Sequence, residues 1–122
     1  MGYPVVHFEV IGKDPQALKD FYKGAFDWEI GPSTSDANNY SMAMPQGEGG
    51  INGGIGGGMT GYDGHVTFYV GVPDLNAALA KIQSLGGTTM MPPEQVPNGP
   101  RIAMFSDPEG HTVGLVETPL PG

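Results

Sequence analysis

The chain has 122 residues, a length that suits one domain, and 39% of them are apolar, which is enough to form a core. Its 13 acidic and 5 basic residues give a formal charge of −8, which argues against nucleic acid or an anionic membrane as partner. Cysteine is absent, which excludes disulfides and thiolate metal sites, and we expect a cytoplasmic protein without signal peptide or membrane span.

Two similar segments divide the chain into halves. One starts at His7 and reads HFEVIGKDPQALKDFY, and the other starts at His65 and reads HVTFYVGVPDLNAALAKI. Each predicts a strand, an acidic helix cap at Asp14 or Asp74, and an amphipathic helix. Because one copy is too small to bury its apolar face alone, the copies are expected to share a core. A ligand cavity is expected at the boundary between them.

The first half carries the signals of one helix and four strands. A helix is predicted to begin at Pro15, directly behind its cap. Gly31-Pro32 is expected to end the second strand. The glycine-rich stretch that continues to Gly64 favours a mobile loop, and a plain flexible connector is the alternative. The predicted strands are 5–10, 26–30, 39–44 and 51–56.

The second half repeats the same order of elements. Its helix is capped by Asp74 and is expected to end at Gly86-Gly87. Pro92-Pro93 is expected to end the strand after that helix, and Asp107-Pro108-Glu109-Gly110 predicts a turn before the last strand. The order βαβββ therefore occurs twice, with each helix on one side of a sheet. The predicted strands are 65–72, 88–91, 101–105 and 111–117.

Alternation along these strands places one set of side chains on the face away from the helices, where they would line a concave surface. Aromatic, methionine and acidic side chains there suit a small organic or cationic ligand, and Arg101 suits a substrate carboxylate. The alternative is that the methionine and aromatic side chains belong to the core. The set is His7, Glu9, Tyr40, Met42, Met44, Thr67, Tyr69, Arg101, Phe105, Thr112 and Val116.

Three segments resemble the vicinal oxygen chelate superfamily, which includes glyoxalase I, extradiol dioxygenases, fosfomycin resistance proteins and bleomycin-binding proteins. They are VVHFEVIGKDPQALKDFYKGAFDWEI, HVTFYVGVPDLNAALAKIQSLGG and FSDPEGHTVGLVE. The resemblance covers essentially the whole chain and implies one glyoxalase-like α+β domain over 1–122. In it, paired βαβββ modules, 1–58 and 64–122, form a curved, U-shaped mixed sheet with a central cavity. A homodimer is expected, with modules paired within one chain or swapped between chains.

The resemblance also implies one divalent ion, of iron, nickel, zinc or manganese, that binds two neighbouring substrate oxygens as a Lewis acid. Family members hold it with His, Gln and Glu side chains from the first and last strands of the modules. His7 matches the first-strand ligand by its spacing from the helix cap. His65 lies two residues before the matching position, Thr67, and a bulge in the strand could restore its register.

The positions that correspond to the family's carboxylate ligand are glycines. They are Gly54 in the first half and Gly114 in the second. Glu117 lies three residues beyond Gly114, so an ideal strand points it to the opposite face. Glu9 shares a face with His7 and is a possible substitute. Two nitrogen ligands without an anionic ligand bind a hard divalent ion weakly.

Two functions therefore stay open. The first, motivated by Gly54 and Gly114, is a metal-independent protein that binds or sequesters a small organic molecule. The second is a divalent-metal lyase or dioxygenase, in which a side chain of the cavity moves a proton. A structural module with an unused cavity is a third. The assigned residues are Tyr40, Met42, Met44, Thr67, Tyr69, Arg101 and Phe105 for ligand binding, His7, His65 and Glu117 for metal binding, and Glu9 and Tyr69 for catalysis.

Overall fold

The computed structural model describes residues 2–45, 47–58, 60–97 and 99–118. Within these residues, eight strands in a mixed open sheet and two helices form an α+β fold, which confirms the predicted fold class. Neither helix in these described ranges has the length and apolar character needed to cross a bilayer. The elements are β1 (Val5–Gly12), α1 (Pro15–Phe26), β2 (Ile30–Ser35), β3 (Tyr40–Ala43), β4 (Asn52–Gly57), β5 (His65–Val72), α2 (Leu75–Ser84), β6 (Thr88–Gln95), β7 (Arg101–Ser106) and β8 (Thr112–Glu117).

The chain divides into two compact units. Unit I is His7–Val66, and unit II combines the residues before His7 with those after Val66. These units differ from the predicted modules, 1–58 and 64–122, at the start of β1 and of β5. A hydrogen bond of 2.9 Å from the Gly71 N–H to the Pro4 carbonyl holds the N-terminal residues within unit II.

In unit I, β1 and β4 run parallel, and β3 runs antiparallel to both β4 and the edge strand β2. The register places His7 beside Asn52 and Glu9 beside Gly54. Because alternate residues of a strand share a face, all of these residues lie on one face of the β1–β4 pair. This register brings distant parts of the sequence to the candidate site described below.

Helix α1 begins where the sequence predicts. The Asp14 carboxylate accepts a hydrogen bond of 3.0 Å from the Ala17 N–H, and Pro15 occupies the first turn. The helix ends at Asp27, whose backbone is left-handed with φ of 56° and whose N–H donates to the Lys23 carbonyl. The helix therefore includes Phe26, which the sequence analysis had placed in a strand.

Two predictions based on proline were wrong. Strand β2 begins at Ile30 and continues through Gly31-Pro32, and β6 continues through Pro92-Pro93. Both strands lie at edges of the sheet, where a missing N–H need not break a ladder. Register shifts in both strand pairs accommodate these segments. The prediction failed because sequence alone does not identify an edge strand, and in a central strand proline would break the ladder.

Unit II holds a core of apolar side chains beneath α2. Strand β5 runs parallel to β8, which is antiparallel to β7, and β7 is antiparallel to β6. Asp74 caps α2 by accepting from the Ala77 N–H at 3.1 Å. Burial of the core removes its apolar surface from water and fixes the position of α2 on the sheet. The core side chains are Val72, Leu75, Leu79, Ala103 and Leu115.

The predicted orientation of β7 was wrong. Phe105 pairs with Val113 and packs against the core beneath α2, so Arg101, at the same parity, shares the α2 side of the strand. Tyr69 pairs with Gly114. Positions 113 and 114 follow each other on β8 and therefore face opposite sides of the strand, so Tyr69 lies on the side away from Val113. Arg101 and Phe105 therefore do not share a face with Tyr69. Both faces of β7 carry buried apolar residues, so alternation gave no signal of orientation.

Candidate functional site

Glu9 lies at the centre of a chain of hydrogen-bonded side chains in unit I. The residue is 8% exposed. Its Oε1 accepts from the Tyr40 hydroxyl at 3.1 Å, and its Oε2 lies 2.7 Å from His65 Nε2. A buried carboxylate is strongly unfavourable unless donors surround it, so these contacts are what permit an acid at this buried position of β1.

One branch of the chain leads from Glu9 through Tyr40 to His7 and Asn52. His7 Nε2 lies 2.9 Å from the Tyr40 hydroxyl, and His7 Nδ1 lies 2.8 Å from Asn52 Nδ2. The Asn52 amide can only donate at Nδ2, so Nδ1 is the acceptor and Nε2 carries the proton. His7 therefore donates to Tyr40, which in turn donates to Glu9. Burial lowers the pKa of His7 against the opposing effect of Glu9, which agrees with a neutral imidazole.

The other branch leads from Glu9 through His65 to Tyr62. His65 Nδ1 lies 2.5 Å from the Tyr62 hydroxyl. In the neutral imidazole, Nε2–H donates to Glu9 and Nδ1 accepts from Tyr62. Burial, and to a smaller extent the negative charge of Glu9, raises the pKa of Tyr62, so the phenol keeps its proton. Donors in both branches thus point toward Glu9. We call this chain of six side chains the Glu9 network; its members are Asn52, His7, Tyr40, Glu9, His65 and Tyr62.

Glycine at position 54 makes room for the Tyr40 side chain. Gly54 lies beside Glu9 on β4, and a Cβ atom there would collide with the Tyr40 ring and hydroxyl. In unit II, a Cβ at Gly114 would in the same way meet the Tyr69 ring. The two glycines that the sequence analysis identified as missing carboxylate ligands are therefore each covered by a tyrosine ring.

The residues do not fit the divalent ion that the family resemblance implies. Tyr40 occupies the space where a ligand at position 54 would project, and both His7 ring nitrogens are already hydrogen-bonded. Within residues 2–45, 47–58, 60–97 and 99–118, no group of three or more His, Cys, Asp or Glu side chains is placed to hold a metal. The predicted ligand set of His7, His65 and Glu117 is therefore not assembled.

Glu117 has a different setting from the one predicted. It lies in unit II, where its carboxylate accepts from the Leu75 N–H at 3.3 Å and pairs with Arg101 at 3.3 Å. Val72 is its neighbour on β5, which puts Glu117 on the α2 side of the sheet. Arg101, predicted to bind a substrate carboxylate, thus binds a carboxylate of its own chain.

The remaining predicted ligand-binding residues have varied surroundings. Thr67 is buried and donates to the Thr112 carbonyl at 2.6 Å, and Tyr69 is 7% exposed against Gly114. Met42 is half-buried beside Gly54. Met44 is exposed and lines a cleft of about 470 Å³ with Trp28. Their roles in ligand binding or catalysis stay predictions.

A second cleft of unit I opens beside the Glu9 network. Its volume is about 520 Å³, and Tyr62 forms part of its wall. Gly12 and Gly57, the last residues of the parallel strands β1 and β4, also line it. Ligands of open α/β sheets often bind at the carboxyl ends of parallel strands. We call it the Tyr62 cleft.

Sequence reasoning missed Tyr62 because it lies in a loop rich in glycine. Two contacts fix the path of this loop: the Lys13–Asp63 ion pair, at 2.9 Å, and the bond from Tyr62 to His65. Gly64 has φ of 112° and passes so close to the Ile11 carbonyl that a side chain would collide with it. A lone aromatic residue between glycines was the available signal.

The twice-repeated βαβββ order and the polar face of β1 define a protein of the glyoxalase-like class. The model of the Glyoxalase/Bleomycin resistance protein/Dioxygenase superfamily matches residues 5–115. The chain belongs to this superfamily, as its sequence motifs predict.

Named relatives and structures agree with this assignment. The chain is 32% identical over 106 residues to "Putative glyoxylase CFP32" of Mycobacterium bovis and of Mycobacterium tuberculosis. The match covers 84% of this chain and 41% of each relative, so the chain spans about two fifths of their length.

Two solved structures illustrate the shared fold. One is methylmalonyl-CoA epimerase in complex with methylmalonyl-CoA and NH4+, with a TM-score of 0.65 at 19% identity, over 95% of this chain and 94% of the other. Another is the hypothetical protein BH1468 from Bacillus halodurans, with a TM-score of 0.70 at 12% identity, over 100% and 99% of the two chains. At these identities the likeness shows the fold alone.

Proposed function

We propose that this chain is a metal-independent member of the superfamily that binds a small organic molecule at the Glu9 network. The observation that carries the proposal is the position of the Tyr40 hydroxyl. It fills the space over Gly54 and connects His7 to Glu9. Side chains that would otherwise face an ion thus form hydrogen bonds with one another. The network, and not an ion, then supplies the polar groups that a ligand contacts.

The charge of the site favours a cationic ligand. Glu9 accepts hydrogen bonds at both carboxylate oxygens, and each of these donors can be replaced by a donor of the ligand. The formal charge of −8 adds a long-range attraction for cations. An organic amine is therefore the ligand class that we propose. The anionic thioester named for one structural relative is the contrasting class.

The experiment begins with the metal content of protein purified without an affinity tag. A thermal shift series with Fe(II), Ni(II), Zn(II) and Mn(II) follows. We expect no stoichiometric metal and no shift that depends on His7. A matched control is His111→Ala, because His111 is exposed and pairs with Asp107 outside the network. Near-stoichiometric metal that is lost in His7→Ala and His65→Ala would overturn the proposal and favour a metal-dependent lyase or dioxygenase.

The ligand class is tested separately, by thermal shift with a panel of organic amines and with methylmalonyl-CoA. Stabilisation by an amine that weakens in Glu9→Gln is the expected result. Stabilisation by the thioester alone would contradict the proposed class. The homodimer and the cytoplasmic location stay predictions, and light scattering of the purified chain measures the first of them.

A further inference from the structure

Tyr62, His65 and Glu9 form a hydroxyl–imidazole–carboxylate triad. The phenol contacts His65 Nδ1 at 2.5 Å, and His65 Nε2 contacts the Glu9 carboxylate at 2.7 Å. In serine hydrolases the same order of groups activates a hydroxyl: the imidazole takes its proton while the carboxylate orients the imidazole. Such a triad is recognised by geometry and roles and occurs on unrelated folds.

We propose that Tyr62 is a base-activated nucleophile that accepts an acyl group from a small activated ester in the Tyr62 cleft. This inference goes beyond the proposed function, because it rests on the triad and the cleft and not on an amine ligand. Tyr62 is 41% exposed and lines the Tyr62 cleft, so part of its side chain is within reach of a small molecule there. Glu9 has no direct contact with the Tyr62 hydroxyl in the triad and acts on it through His65.

The cleft has the size and polarity that a small ester requires. Its volume of about 520 Å³ is within the usual range of ligand sites. Asn38 lines it, and the Asn38 Oδ1 atom is buried without a hydrogen-bond partner among the described residues. A buried acceptor without a partner is costly, so the cleft suits an ester whose acyl or leaving group carries a hydrogen-bond donor of its own.

The chemical step balances without a cofactor. The Tyr62 oxygen attacks the acyl carbon while its proton moves to His65 Nδ1, and the resulting imidazolium is stabilised by Glu9. The bond from the acyl carbon to the leaving oxygen breaks, and the leaving group takes the proton from His65 or departs as an anion. An aryl ester of Tyr62 remains, and water can hydrolyse it by the reverse use of His65.

His65 is essential to this chemistry because its Nδ1 is the hydrogen-bond partner of the Tyr62 hydroxyl. A protonated phenol is a weak nucleophile, so the proton must leave during the attack. The reactivity of Tyr62 should therefore depend on the imidazole and not on exposure alone. Tyr3, which is 61% exposed, is the internal comparison in the same chain.

The test is acetylation by para-nitrophenyl acetate with a chelator present, followed by peptide mass spectrometry. We expect Tyr62 to acquire the acetyl group at least about tenfold faster than Tyr3, and His65→Gln to lower the Tyr62 rate about 100-fold. Glu9→Gln should lower it at least about tenfold. Tyr3→Phe is the control variant and should leave the Tyr62 rate unchanged.

Either of two outcomes would overturn the inference. One is equal labelling of Tyr62 and Tyr3 in the natural chain, and the other is an unchanged Tyr62 rate in a folded His65→Gln variant. The first comparison uses one unmodified molecule, so it holds even when a variant fails to fold. Because the chelator removes metal, this result is independent of the metal content on which the proposed function depends.

Discussion

The Tyr40 hydroxyl lies in the space that a side chain at Gly54 would occupy, and it bridges His7 and Glu9 there. A tyrosine on β3 thus connects two polar side chains of β1. The glycine and the tyrosine depend on each other, because the ring can take this place only above a residue without a Cβ.

Gly54→Ala should destabilise the protein. The added methyl group collides with the Tyr40 ring, and overpacking of this kind is expected to lower the free energy of unfolding by about 1–3 kcal/mol. Urea denaturation measures the change. Gly24→Ala is the matched control, since a Cβ at this exposed position in α1 meets nothing within 4 Å. It should be neutral or stabilising by up to about 1 kcal/mol, and equal effects of the two variants would refute the packing argument.

Tyr40→Phe should lower stability while keeping the ring in place. It removes the hydroxyl that donates to the buried Glu9 and accepts from the half-buried His7. Removing one partner of buried polar groups reduces the free energy of unfolding by about 1–3 kcal/mol. Tyr3→Phe, at an exposed position, should change it by less than about 0.5 kcal/mol. A Tyr40→Phe protein as stable as the natural chain would argue against the network.

Stability should fall in mild acid because of His7. Burial lowers the folded-state pKa of His7 below its ordinary value of 6.5, so the folded chain binds this proton more weakly than the unfolded chain. The contribution of His7 to the free energy of unfolding is complete above pH 6.5 and is lost as the pH falls through the lowered pKa. In His7→Gln, the free energy of unfolding measured by urea denaturation should therefore depend less steeply on pH over this range. His111→Gln is the control, and an unchanged slope in His7→Gln would contradict the assignment.

Glu117→Gln should affect stability and leave metal binding as it was. The carboxylate interacts with the α2 N-terminus at Leu75 and with Arg101, at a partly exposed position. We expect a loss of about 0.5–1.5 kcal/mol in unfolding free energy. Glu94→Gln, an exposed substitution on β6, is the comparison. A change in metal content with Glu117→Gln alone would restore the ligand role that the sequence suggested.

The parts of the structure that were predicted correctly depend on local chemistry. Asp14 and Asp74 cap their helices because a short carboxylate reaches the N–H groups of the first turn wherever such a helix forms. Alternation along β1 placed His7 and Glu9 on one face, and the structure joins them through Tyr40. The errors at Pro32 and in β7 arose where strand order decides what a residue contacts.

The sequence by itself determined the superfamily, the α+β class, the helix caps and the absence of side chains at Gly54 and Gly114. These follow from residue type, short spacing and periodicity. Tertiary structure alone decided what fills those two positions and which groups Glu9 meets. Tyr40 and His65 lie far from Glu9 along the chain and reach its carboxylate only in the folded structure, because hydrogen bonds require contact in space. Tyr62 joins the network through His65.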